Sequence, residues 1–145
     1  MRQNLPTTAF PTRIENTHGG GVPDVYVVWD GMPFWLELKV CNVNALNIRP
    51  HQVAWNMAHF ARGGLSFFLV KTLSSGVLYL FPANQGPELA KGGCSAAQGS
   101  RFEDMGSLVE GLRSEVEDHY RKSCGLRRAY SPAVDRDPKD RGPRH

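Results

Sequence analysis

Apolar residues along this chain fall into short runs separated by glycine, proline and asparagine. Val25 to Trp29 is β-branched and aromatic, the composition of a strand. Phe34 to Val40 is a second such run. Asp30-Gly31-Met32-Pro33 lies between them and predicts an antiparallel hairpin with a loop of about four residues. Cys41 to Ile48 reads as an asparagine-rich loop. A helix is predicted from Arg49 or Pro50 to about Arg62, with the proline in its first turn. Val53, Met57 and Phe60 or Ala61 recur on its core-facing side, and Gly63-Gly64 ends it.

Leu65 to Lys71 and Val77 to Phe81 predict two further strands around Ser74-Ser75-Gly76. Residues 82–104 are rich in glycine, proline and small polar types, and predict a loop with a short helical turn near Pro87 to Lys91. An amphipathic helix from about Ser107 to Lys122 carries Leu108, Leu112 and Val116 along one face. Residues 1–12 read as an extended lead-in, and Arg13 to Asn16 as a short strand or the end of one. Gly125 to His145 is polar, with too few apolar residues to pack, and predicts disorder. The order of elements predicts a mixed α/β fold, a central sheet flanked by helices.

Composition narrows the choice of function. At 145 residues, 41% of them hydrophobic, the chain suits one domain with a core of ordinary size. No run approaches the roughly 20 apolar residues of a membrane span. The start, Met1-Arg2-Gln3-Asn4-Leu5-Pro6, lacks the apolar stretch of a secretory signal, which predicts a cytoplasmic protein of a bacterial or phage-infected cell. Cys41, Cys94 and Cys124 are odd in number and far apart, so buried free thiols are expected rather than disulfides or zinc. His51 and His59 are eight apart, not the four of a helical zinc pair. Gly19-Gly20-Gly21 lacks the Gly-Lys-Ser/Thr of a phosphate-binding loop, so no nucleotide cofactor is expected. The net charge of +3 is compatible with nucleic acid without pointing to it.

Charged residues stand inside the hairpin. Asp24 opens the first strand, and Glu37 and Lys39 sit in the second. Side chains alternate along a strand, so Glu37 and Lys39 share one face while Leu36 and Leu38 take the core face. The hairpin returns the chain, which brings Asp24 beside Glu37. Two converging carboxylates repel each other unless a hard divalent cation joins them. A lysine beside them suits charge developing on a phosphate. The bland alternative is a Glu37–Lys39 ion pair on a solvated face, worth little, against which Phe34-Trp35-Leu36 and Leu38 read as a strand deep in the sheet.

Pro23-Asp24, followed thirteen residues on by Glu37-Leu38-Lys39, resembles the PD-(D/E)xK nuclease motif. With "RIEN", "GGGVPDVY", "FWLELKV" and "RPHQVAW", the chain resembles the VRR-NUC group of phage and bacterial nucleases, related to Holliday-junction resolvases, over about residues 13–81. The resemblance implies a restriction-endonuclease-like domain over residues 1–122, followed by a basic tail over 123–145. It implies a Mg2+-dependent endodeoxyribonuclease, with Mn2+ as the possible substitute, acting on branched DNA such as a junction or flap. Asp24, Glu37 and the Leu38 carbonyl would hold metal, Lys39 would be the catalytic lysine, and Gln52 would orient the site. Glu15 would be the upstream acid, although such nucleases carry that residue on an N-terminal helix. Arg13, His18, Arg49 and His51 are candidate DNA contacts. A homodimer would set two sites on two strands. Two other readings stay open: a sequence-specific or nicking restriction-type endonuclease, and a catalytically silent DNA-binding or virion protein of the same fold.

Overall fold

The computed structural model describes residues 5–15 and 20–129, and of 125–129 the backbone alone. Strands β1 (Ala9–Arg13), β2 (Val25–Trp29), β3 (Met32–Cys41), β4 (Ser66–Thr72), β5 (Leu78–Pro82) and β6 (Ser100–Phe102) form one sheet in that spatial order. All neighbours are antiparallel except β3 and β4, which run parallel. Helix α1 (Pro50–Ala61) makes the crossover between those two. Helices α2 (Gly86–Gly92) and α3 (Met105–Ala129) follow β5 and β6. This is the mixed α/β layout expected from the sequence.

Strand alternation sorts the core into two layers. Phe34, Leu36, Phe67, Leu69, Leu78 and Leu80 pack against Leu108, Leu112 and Val116 of α3. The intervening Cys41, Phe68, Val70 and Phe81 face the other way, against Leu89 of α2 and Val53 of α1. β4 is therefore buried on both faces, which explains its unbroken Phe67-Phe68-Leu69-Val70 run. Cys41 and Cys94 are buried free thiols, as expected, whereas Cys124 is a free thiol on the exposed side of α3, against the expectation of burial.

Several boundaries differ from the sequence reading. The β2–β3 connection is a two-residue turn, Asp30 at φ 49° and Gly31 at φ 76°, not a loop of four. Both positive φ values match the twist of a tight hairpin. Pro33 is tolerated inside β3 because β4 pairs only from Trp35 onward, so no ladder partner is lost on that side. The lead-in contains an edge strand, β1, which pairs with all of β2. β6 lies in the segment expected to be loop. Helix α3 continues to Ala129, beyond the expected end at Lys122 and into the stretch expected to be disordered. Residues 130–145 of that stretch lie outside the described residues. On α1, Met57 and Phe60 are exposed and the buried residue is Asn56. Val53 faces the core as expected, and a polar bridge through Asn56 takes the place expected for Met57 and Phe60.

Candidate active site

The hairpin register places Val25 opposite Leu36. One step further, Asp24 stands opposite Glu37, and residues directly opposite share a face. β2 ends there while β3 continues. Leu36 bonds toward β2, so Leu38, two residues on, also directs its N–H and C=O to that side. The Leu38 N–H donates to Asp24 Oδ2 at 2.9 Å, which fixes the Asp24 carboxylate. The Leu38 carbonyl leaves on the same side, beyond the end of β2. The Leu38 side chain is 39% exposed rather than in the core; the β2 ladder stops at Leu36, so β2 sets no paired residue beside it.

Glu37 is 1% exposed and sits under the N-terminal turn of α1. Gln52 Nε2 donates to Glu37 Oε1 at 2.8 Å. Gln52 Oε1 accepts from Lys39 Nζ at 3.0 Å and from the Arg49 backbone N–H at 3.0 Å. Two donors on its oxygen settle which way the amide points. Lys39 Nζ also lies 3.7 Å from Glu37 Oε1. Glu37 Oε2 is buried with no hydrogen-bond partner among the described residues. Its carboxyl is raised from 4.5 to about 7, by burial first and by the charge of Asp24 second, with Lys39 pulling it back down.

Two features hold this geometry. Gly21, at φ 92°, lies so close to the His51 carbonyl and Trp55 that a side chain there would overlap them. The glycine turn is thereby locked against α1, and it delivers Pro23 and Asp24 to the site. Asn56, fully buried, donates Nδ2 to the Gln52 carbonyl at 2.9 Å and accepts from Ser66 Oγ at 2.9 Å. That bridge ties the helix bearing Gln52 to the first residue of β4. Sequence reading missed Asn56 and Ser66; a signal was present, since Asn56 stands one helical turn after Gln52 on a side that must face the sheet.

The structure thus brings Asp24, Glu37, Leu38, Lys39 and Gln52 together. Glu15 lies exposed past the end of β1, and among the described residues no three carboxylate, histidine or cysteine side chains gather as a metal cluster. Arg13 is exposed and pairs with Val25, so it shares the α3 face rather than that of the carboxylates. Arg49 and His51 are exposed at the start of α1, beside the site. His18 lies outside the described residues.

No protein-family model matches the chain, and no curated protein matches it significantly. Among solved structures it is similar to Hjc, a Holliday junction resolvase from the archaeal hyperthermophile Archaeoglobus fulgidus. That likeness has a TM-score of 0.43 and 15% identity, and covers 54% of this chain and 66% of that one. The chain thus matches just under two thirds of that protein's length.

The donor set suits a hard divalent cation. Glu37 Oε2 is the orphaned buried oxygen, the Asp24 carboxylate keeps one oxygen beyond its bond to Leu38, and the Leu38 carbonyl points to the same side. All three are oxygen donors, and magnesium is commonly held by one or two carboxylates with water filling its remaining positions. No helix among the described residues is long and apolar enough to cross a membrane.

Proposed function

We propose that this chain is a metal-dependent endonuclease that hydrolyses phosphodiester bonds in DNA and prefers branched DNA. One observation carries the reading: Glu37 is buried beside Asp24 with Oε2 unpartnered, while Gln52 and Lys39 hold its other oxygen. A lone buried carboxylate next to a second one is costly unless a cation accompanies them. Asp24, Glu37 and the Leu38 carbonyl would hold magnesium, with manganese as its substitute. Such an ion supplies a lowered pKa for bound water and polarises a phosphoryl oxygen.

The chain's own groups do the rest. Lys39 places a positive charge where negative charge grows on the phosphate during attack. Gln52 keeps the ammonium and the Glu37 carboxylate at fixed separation, so neither reorganises as the reaction proceeds. Arg49 and His51, exposed at the start of α1, lie where a DNA phosphate would approach a helix N-terminus. Groups placed at a backbone phosphate position DNA without carrying sequence information, which favours recognition by shape and backbone. Action as a symmetric homodimer belongs to the same proposal. It is supported by Leu38 and Val40, which β3 exposes on the face opposite the carboxylates.

The test is a cleavage panel of four-way junction, flap, single strand and linear duplex with magnesium or manganese, run beside Glu37→Ala. Metal-dependent cutting of a branched substrate, absent in the variant, is expected. Cutting only at one motif in linear duplex would move the reading to a restriction-type enzyme. DNA binding without cleavage under every condition would leave a silent DNA-binding protein.

A further inference from the structure

A second feature lies on the same sheet face, one step down the hairpin. Tyr26 pairs with Trp35, and their ring centroids are 4.9 Å apart. Trp35 meets Trp55 edge-on at 5.6 Å, and Trp55 stacks on His59 at 4.7 Å. Tyr26, Trp35 and His59 border a cavity of about 260 Å³, which Tyr120, Pro33, Gly64 and Leu65 complete, while Trp55 backs His59 and Trp35 from behind this lining. The Tyr120 hydroxyl is committed to the Pro33 carbonyl, so Tyr120 offers its ring as a wall. His59 is packed between Trp55 and Gly64, where any side chain on residue 64 would strike the imidazole. Its Nδ1 is buried without a hydrogen-bond partner among the described residues.

We propose that this cavity receives one unpaired nucleobase of the DNA, next to the phosphodiester that is cut; the proposal rests on the nuclease reading above. The volume falls below the roughly 300–1,000 Å³ of sites for drug-sized ligands, and fits a single planar ring system rather than a whole nucleotide. The walls are aromatic, and every base has a face that stacks on such rings. No Asp, Glu, Lys or Arg side chain lines the cavity, and His59 is its one imidazole. Burial first, and the nearby His119 second, lower the pKa of His59 and favour its neutral form. A phosphate would find no counter-charge there.

Placement supplies the link to cleavage. Trp35 stands two residues before Glu37 on the same face, about 7 Å away along the strand. A strand with its phosphate at the carboxylates therefore passes the cavity with an adjacent nucleotide. A base inside a duplex is stacked and cannot enter; one at a branch, flap or mismatch is already free or is cheaply extruded. The cavity thus makes an unpaired nucleotide beside the cut a determinant of substrate choice.

The test uses the full chain and a flap oligonucleotide carrying 2-aminopurine, or an abasic site, at the unpaired position next to the cut. In EDTA, wild-type protein is expected to quench the 2-aminopurine on binding. With magnesium, wild-type protein should cut the intact flap about 5- to 100-fold faster than the abasic one, the worth of one base–aromatic stack. Tyr26→Leu should bring that ratio near one and abolish the quench, while Tyr26→Phe, which keeps the ring, should retain both. Equal cutting of intact and abasic flaps by wild-type protein, with no quench, overturns the cavity proposal and leaves the nuclease reading standing. Quenching that depends on Tyr26 without cleavage of any substrate supports the cavity and rejects the nuclease reading instead.

Discussion

Gln52 Nε2 donates to Glu37 Oε1 at 2.8 Å across the gap between α1 and β3, the contact through which a helix sets the position of a buried acid. The same amide accepts from Lys39 Nζ at 3.0 Å, so one side chain fixes two charged groups of opposite sign. Gln52→Ala should leave the fold intact and lower metal-dependent cleavage about 10- to 100-fold, the usual cost of removing a group that orients a metal ligand. Gln52→Glu should do no better, because it sets a third carboxylate against Glu37. Single-turnover cleavage rates beside circular dichroism spectra check both.

Among the described residues Lys39 is the cation paired with Glu37, and its side chain is 17% exposed. Lys39→Met keeps the aliphatic volume and removes the charge. Cleavage should fall about 10²- to 10³-fold in kcat, with DNA affinity little changed, because the charge acts on the transition state. A loss confined to KM would instead assign Lys39 to ground-state binding.

The raised carboxyl of Glu37 makes the metal-free protein sensitive to pH. Between 4.5 and about 7 the folded chain holds a proton that the unfolded chain has released. Stability of the metal-free protein should therefore fall as pH rises through this window, by up to about 3 kcal/mol. Glu37→Gln removes the titrating group and should flatten that slope. Magnesium competes with the proton, so adding it at pH 8 should restore stability to wild-type protein and not to the variant. Urea denaturation at a series of pH values reads all three outcomes.

Asn56 bridges Gln52 and Ser66 from a fully buried position. Asn56→Ala strips Ser66 of its acceptor and should destabilise the fold by about 1–3 kcal/mol. Cleavage should fall as well, because α1 is no longer pinned at the turn carrying Gln52. Ser66→Ala, which removes the donor, tests the other half. If both variants keep wild-type stability, the bridge is not what holds the helix.

Much of this arrangement is legible in the amino-acid sequence. Period-two alternation put Glu37 and Lys39 on one face, and a glycine-punctuated hairpin brought Asp24 to them. Leu108, Leu112 and Val116 announced the buried face of α3, because four-residue spacing has one meaning in an amphipathic helix. Other parts were not legible, for identifiable reasons. β1 and β6 are short and contain no fully buried residue, so they carry little apolar signal, and they exist by pairing with neighbouring strands. Pro33 looked like a turn residue because a proline's lost N–H matters only where a neighbouring strand needs it. Part of the buried face of α1 was misread because Asn56 is a polar residue buried through its bonds to the Gln52 carbonyl and Ser66, a burial that a pattern of apolar positions does not show. The aromatic cavity depends on Tyr120, brought from α3 to the hairpin by the fold alone.

In the proposed enzyme, Asp24 and Glu37 jointly hold a divalent cation. Titration of the full chain with Mn2+, followed by electron paramagnetic resonance, measures this without any assumption about substrate. Wild-type protein should bind one ion at a site that Asp24→Asn and Glu37→Gln each abolish or severely weaken. Undetectable binding by wild-type protein, or equal binding by both variants, would mean that these two carboxylates are not a metal site.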